Sequence, residues 1–277
     1  MTVRIVTDSA CDLRGDEIDE LNIEVVPLSI RFGDDEYIDR EQLSVSEFYR
    51  LLAENDDLPE TAAPSPGRFA EAFQRHLDAG ATAIVCINLS SAISATMQSA
   101  ITAAGEIDAD IRIVDSKSIT VGQGMIVLRA AQLAANGASA DEIVATAESM
   151  SERTHVFGTL DTLENLQKGG RIGNAQALLG SMLSIKPIID ISSGEVEEAG
   201  KQRTRKKSLT WLRDKLSEFG AIENLAIMHG EAPDIDQFVA LLGEVTDVSD
   251  ARIEKIGPVI GAHGGPRVVG YAFQVPE

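Results

Sequence analysis

The sequence predicts an α/β protein with two parts. A parallel-sheet α/β domain covers residues 1–153, and an α+β domain with a mixed sheet covers residues 154–277. Three observations carry this reading. Strand-like and helix-like stretches alternate through the first half, and its strands are nearly continuous apolar runs, the pattern of a parallel sheet covered on both faces. Six strand patterns crowd the second half, and the turn "SSGE" at 192–195 joins two of them as a hairpin. The composition, 44% hydrophobic and 25% charged over 277 residues, is that of a globular chain able to bury its own core.

The elements follow in order. "VRIVTDSA" (3–10) reads as a strand and a turn, and "NIEVVPLSIRF" (22–32) as a second strand. "SVSEFYRLLAEN" (44–55) has a capping serine and helical spacing. "ETAAPSPGRFAEAFQRHLDAG" (60–80) is a Pro/Ser/Gly loop leading into an amphipathic helix. "TAIVCINLS" (82–90) is a buried strand, with a helix after Ser94. "DIRIVDSKSIT" (110–120) is another strand, followed by a helix over about 122–136 and the capped helix "SADEIVATAESMSERT" (139–154). In the second half "VFGTLDT", "KPIIDIS", "EVEEAGK", "NLAIMHG", "ARIEKIG" and "RVVGYAFQV" are the strands. Helical segments lie near 161–168, 174–184, 204–219 and 233–245.

The net charge of −20 argues against a general nucleic-acid binder, which needs basic surface to displace counterions. It also argues against electrostatic adhesion to an anionic membrane. The run "KQRTRKKS" (201–208) stands out against that background. Cys11 and Cys86 form neither a disulfide framework nor a metal motif, which favours a reducing cytoplasm. No signal-peptide pattern is evident at the start, and no apolar run reaches the ~18–20 residues of a membrane span.

Ligands of open parallel sheets bind at the carboxyl ends of strands. Asp8, Ser9, Ser90, Ser94, Asp115, Ser116 and Ser118 fall at such ends and are expected to share one edge. Each could simply cap the next helix. The crowding of hydroxyls in "LSSAISATMQSA" (89–100) instead suggests an anion cradle at a helix start. The loop lacks the glycines and lysine of a phosphate-binding loop, so a nucleotide is disfavoured. The context "AISAT" is not the elbow of a serine hydrolase. A small carboxylate suits the site. Among the histidines His263 draws attention because its surrounding glycines allow a ligand close approach.

Eight strings in order span nearly the whole chain: "TDSACD", "TAAPSPGRF", "LSSAISATMQSA", "DSKSITVGQG", "LENLQKGGRIG", "LLGSMLSIKPII", "KQRTRKKS" and "GPVIGAHGGP". Together they resemble the DegV family. The resemblance implies a parallel α/β domain carrying head-group loops and a second domain, with a mixed six-stranded sheet, holding an acyl-chain pocket. It implies a long-chain fatty acid as ligand and no cofactor. It also implies a separate ATP-dependent fatty acid kinase subunit as partner, which phosphorylates the bound carboxylate, so the chain itself is not an enzyme.

Carried over residue by residue, the resemblance places the head-group threonine at Thr61 and the loop serine at Ser94. The histidine falls on His263 and the "KGGRI" arginine on Arg171, with Arg203 and Arg205 at the outer edge. Leu178, Met182, Ile185 and Ile260 are the candidate acyl-pocket liners. Ala62, Ala63, Ala95 and Arg267 depart from the family pattern. The competing readings are a hydrolase or transferase using Ser94 or Asp8, a sugar binder like the dihydroxyacetone kinases with a covalent adduct on His263, and a stand-alone lipid sensor.

Overall fold

A computed structural model describes residues 2–55, 57–180 and 185–277. β1 (Val3–Asp8) is followed by a 3₁₀ turn, Ser9–Cys11, and by α1 (Gly15–Leu21). The stretch expected as one strand is two, β2 (Glu24–Val26) and β3 (Ser29–Phe32). Pro27 lies between them and has no N–H to give a ladder. β2 then pairs with β1, while β3 enters a different sheet with β4 (Asp35–Ile38). α2 (Val45–Glu54) starts at Ser44, whose hydroxyl accepts from the Glu47 amide at 3.2 Å. The expected loop at 60–65 contains β5 (Glu60–Ala62), because its backbone pairs with β3 and sets Thr61 opposite Ile30.

α3 (Pro66–Asp78), β6 (Ala83–Asn88), α4 (Thr96–Gly105), β7 (Ile111–Asp115), α5 (Thr120–Ala135) and α6 (Ala140–Arg153) complete the first half. The strand order is β2-β1-β6-β7, and every pairing is parallel. The antiparallel sheet β4-β3-β5 was not expected. α5 is buried on every side over residues 120–127, since it packs against β1 and also against strands of the second half, while Arg129 and Gln132 further along are exposed.

The second half runs β8 (Thr154–Thr159), α7 (Glu164–Lys168), a 3₁₀ stretch Gly173–Gly180, β9 (Lys186–Asp190), β10 (Glu197–Gln202), α8 (Arg205–Ser217), β11 (Glu223–His229), α9 (Ile235–Leu242), β12 (Arg252–Lys255), α10 (Pro258–Gly264) and β13 (Val269–Gln274). All six expected strands are present in one sheet of order β10-β9-β8-β13-β11-β12. Its pairings are antiparallel except the parallel edge pair β11/β12. The string "GPVIGAHGGP", expected as a glycine-rich loop, is largely the helix α10. Pro258 at its first position supplies a fixed φ and loses no hydrogen bond there.

Side-chain alternation sends each of the four central strands, β8, β9, β11 and β13, to two cores. Phe157, Ile188, Ile227 and Tyr271 face α8 and α9. Val156, Ile189, Met228 and Ala272 face inward, toward Leu28, Leu89 and Ile119 of the first half. The two halves therefore share one apolar cluster. None of the helices among the described residues is long and apolar enough to cross a membrane.

Candidate functional site

Within the shared cluster lies a cavity lined mainly by apolar side chains. It is bounded on one side by residues just beyond the carboxyl ends of β2, β6 and β7, and on the other by the inner face of the six-stranded sheet and by α10. Both halves wall the cavity: Leu28, Leu89 and Ile119 line it as much as Ile189 and Met228. The walls are apolar or glycine except at Thr61, Ser94, Thr120, Arg171 and His263.

Thr61 and His263 meet across the interface. Thr61 Oγ1 lies 2.8 Å from His263 Nε2. β5 holds the threonine in register, and α10 carries the histidine. The histidine ring lies against Gly169, where a Cβ would come within 2.4 Å of Nδ1. Burial, and then the nearby Arg171 charge, push the imidazole pKa down to about 4, so the ring is neutral at physiological pH. Its Nδ1 is buried with no hydrogen-bond partner among the described residues. An orphaned N–H is the rarer and costlier defect, so the proton belongs on Nε2. Nε2–H then donates to Thr61 Oγ1, and the Thr61 hydroxyl keeps its own proton for an acceptor in the cavity. Thr61 also lines a small surface groove with Arg31 and Glu60, which sets it between cavity and solvent.

Ser94 precedes α4, and its Oγ accepts from the Thr96 amide at 3.3 Å. The Thr96 hydroxyl is 2.9 Å away. Ser94 has a threonine as its hydrogen-bonding neighbour, and no histidine is bonded to it. Arg171 is fixed by two backbone carbonyls, donating from Nε to Ile93 at 3.3 Å and from Nη1 to Gly169 at 2.7 Å. It therefore ties the Ser94 loop to the glycine turn under His263.

Four of the six predicted head-group residues, Thr61, Ser94, Arg171 and His263, are brought together on this cavity. Arg203 and Arg205 are not on its wall. α8 begins at Arg205 on the outer face of the sheet, and that guanidinium is engaged by Asp234 at 2.9 and 3.0 Å. Arg203 is exposed. Of the predicted liners, Ile260 is on the wall. Leu178 is buried in the surrounding cluster and Ile185 packs against it, one layer behind the wall. Met182 lies outside the described residues.

Of the other strand-end hydroxyls, those of Ser9, Ser90, Ser91 and Ser116 hold loops, while Ser118 Oγ is buried with no hydrogen-bond partner among the described residues. Ser90 donates to the Gly194 carbonyl at 2.6 Å, locking the β9–β10 turn onto the first half. Ser9 accepts from Leu28 N, Ser91 bonds Asp115, and Ser116 bonds the Ser118 carbonyl. Asp8 is fully buried and receives the Ala10 and Leu89 amides and the Asn88 side chain. Sequence reasoning missed Thr120, a wall residue held at φ 46°. It also missed Gly169 as the floor under His263, although the doubled glycine of "KGGRIG" was a usable signal.

Such a fold and site define a class: an α/β protein of two principal sheets, with an apolar cavity between them and a polar patch at one end. Over residues 2–275 the chain matches the family model described as "Uncharacterised protein, DegV family". A DegV domain-containing protein of Streptomyces coelicolor is 35% identical over 272 residues, covering 97% of this chain and 96% of that one. A DegV domain-containing protein of Deinococcus radiodurans is 34% identical over 282 residues, 99% of each. Among solved structures, a DegV family protein from Thermus thermophilus, described for its fatty acid binding, superposes with a TM-score of 0.91 at 31% identity over all of both chains. A fatty acid binding DegV family protein from Streptococcus agalactiae gives 0.92 at 27% identity, again over all of both chains. The chain belongs to the DegV family.

Proposed function

We propose that this protein binds a long-chain fatty acid, tail in the apolar cavity and carboxylate at Thr61 and Ser94, and presents it to a separate kinase subunit for acyl-phosphate formation. The observation that carries the reading is the cavity itself: an apolar space whose wall carries the Thr61 and Ser94 hydroxyls, one arginine and one neutral histidine. The fatty-acid binding of the Thermus thermophilus and Streptococcus agalactiae proteins supports the ligand class.

The energetics suit a carrier. Burial of about fourteen methylenes contributes on the order of 11 kcal/mol gross. Ordering the tail and losing translational freedom remove a large share. Hydrogen bonds to a charged carboxylate contribute about 1.5–3 kcal/mol each and fix its orientation. The Thr61 and Ser94 hydroxyls donate to the carboxylate oxygens, and His263 holds Thr61. An ionised carboxylate is already a nucleophile, so no base is required of this chain. The exposed Lys206 and Lys207 at the start of α8, with Arg203 and Lys201 before it, give an otherwise acidic molecule a basic face for an acidic partner. In this reading the boundary between the two domains is the α6–β8 junction at 153/154.

The test is to express the protein in bacteria, denature it and identify released lipid by mass spectrometry, then add a fatty acid kinase subunit and ATP. Stoichiometric fatty acid and acyl-phosphate formation are expected. A freshly purified protein free of lipid, which also fails to bind added fatty acid, would overturn the reading.

A further inference from the structure

Asp12 sits outside the head-group patch yet touches two parts of the cavity wall. Its carboxyl is buried, only 8% exposed. Oδ2 accepts from the Thr120 hydroxyl at 2.6 Å, and Oδ1 accepts from the Gly257 amide at 3.1 Å. Thr120 is a wall residue at the start of α5. Gly257 is the cap of α10, the helix that brings Val259, Ile260 and His263 to the cavity. The approach is close enough to exclude any side chain at 257, where a Cβ would lie 2.4 Å from Asp12 Oδ1. Both Asp12 and Thr120 hold left-handed backbone, at φ 48° and 46°. For a β-branched residue such as Thr120 this is a strained conformation, of the kind that persists where surroundings impose it.

We propose that Asp12 is a positioning residue for the head-group end of the site: protonated, it ties the start of α10 to the first half of the chain and keeps His263 seated on Thr61; ionised, its buried charge favours opening of that junction to water and the ligand leaves faster. The proposal rests on the fatty-acid reading above. Its physical basis is that the Thr120 and Gly257 bonds only partly offset the cost of burying the charge, so the ionised carboxyl favours any arrangement in which water reaches it. Burial moves the carboxyl pKa up to about 7, against the pull of Thr120, Gly257 and the Arg40 charge, and Asp39 adds to the rise. The groups facing Asp12 are Asp39 and Arg40 from the loop after β4, Tyr49 of α2 and Cys11 of its own turn. Arg14, His229, Glu254 and Lys255 line the adjoining groove. Burial also raises Asp39, to about 6, so it needs its own control.

The test loads the full chain with cis-parinaric acid and follows its release into excess oleate by stopped-flow fluorescence between about pH 5.5 and about pH 8.5. In the wild type, release is expected to speed up about five- to tenfold as pH rises through about 7. Asp12→Asn, which copies the protonated carboxyl, should release at the slow rate throughout. Asp39→Asn should keep the step and move it to lower pH, since a neighbouring negative charge is gone. A flat wild-type profile, or an Asp12→Asn profile like the wild type, overturns the proposal. So does a step that Asp39→Asn abolishes. If Asp12→Asn does not fold, the wild-type and Asp39→Asn profiles still decide. Absence of parinarate binding at every pH overturns the ligand reading and the proposal with it; binding with pH-independent release overturns the proposal alone.

Discussion

Thr61 and His263 are 202 residues apart in the chain, yet Oγ1 and Nε2 stand 2.8 Å apart at the polar end of the cavity. One comes from the small antiparallel sheet of the first half, the other from the short helix before the last strand. Their contact makes the threonine a directed donor.

Thr61→Val keeps the shape and removes that donor. Fatty-acid affinity should fall about tenfold, corresponding to roughly 1.4 kcal/mol. Titration of the delipidated protein with parinarate measures it. With Ser94→Ala added, acyl-phosphate formation in a kinase-coupled assay should be nearly lost; turnover at the wild-type rate would remove both residues from the site.

Gly169→Ala pushes a methyl carbon to 2.4 Å from His263 Nδ1 and 2.9 Å from the Asn165 carbonyl. The backbone carbonyl cannot yield, so the histidine or the turn must shift. A loss of about 1–3 kcal/mol in stability and a clear drop in affinity are expected. Thermal unfolding and parinarate titration of one preparation report both, and wild-type affinity would show that His263 is not held by this turn.

The neutral histidine has a signature in acid. Its pKa is about 4 in the folded protein against 6.5 for a free side chain. Between those values the unfolded chain binds more protons than the folded one, so this group's contribution to stability falls as pH falls. From about pH 6.5 to about pH 4.5 the delipidated wild type should lose roughly 2 kcal/mol more than His263→Gln. Asp12 and Asp39, whose pKa values are raised, act in the opposite direction in both proteins and largely cancel in the difference. Parallel denaturation curves across this range would mean that His263 titrates normally.

Val196 lines the cavity and is 2% exposed. Val196→Phe adds bulk toward empty space, so the fold should tolerate it better than ordinary overpacking of a core. The bound lipid should shift to shorter chains, as read by mass spectrometry of the co-purified ligand. An unchanged lipid profile would place the tail elsewhere.

The basic run is a docking surface in the proposed function. Reversing Arg203, Lys206 and Lys207 to Glu should slow association with a kinase subunit about tenfold or more at low ionic strength, with the difference shrinking in salt. Lipid content should not change, since none of these side chains reaches the cavity. Arg205 is excluded from that set because its bonds to Asp234 are structural.

Much of the fold was legible in local patterns. The strands of the parallel sheet are apolar runs because both faces are covered, and the capped helices announce themselves at Ser44 and Ser139. The errors have physical causes. Glu60–Ala62 has the composition of a loop and becomes a strand only because β3 offers it a ladder. Residues 258–264 are too rich in glycine to read as a helix, yet they form one because Pro258 starts it and packing against α2 and α7 holds it. Of the site, local residue types pointed to Ser94 and His263 and the family resemblance added Thr61 and Arg171, whereas the roles of Thr120, Asp12 and Gly169 depend on approaches between distant segments.

The sequence by itself determined the α/β class, the strands of both principal sheets and the chemistry on offer: hydroxyls at strand ends, a histidine among glycines and a basic run in an acidic chain. Those features are written in period, composition and charge, which act over a few residues. Tertiary structure alone decided which hydroxyls face a cavity and which brace loops, that both halves wall the cavity, and that Asp12 joins Thr120 to Gly257. The reason is burial. A serine that caps a turn and a serine that faces a ligand look alike until long-range packing determines what lies in front of them.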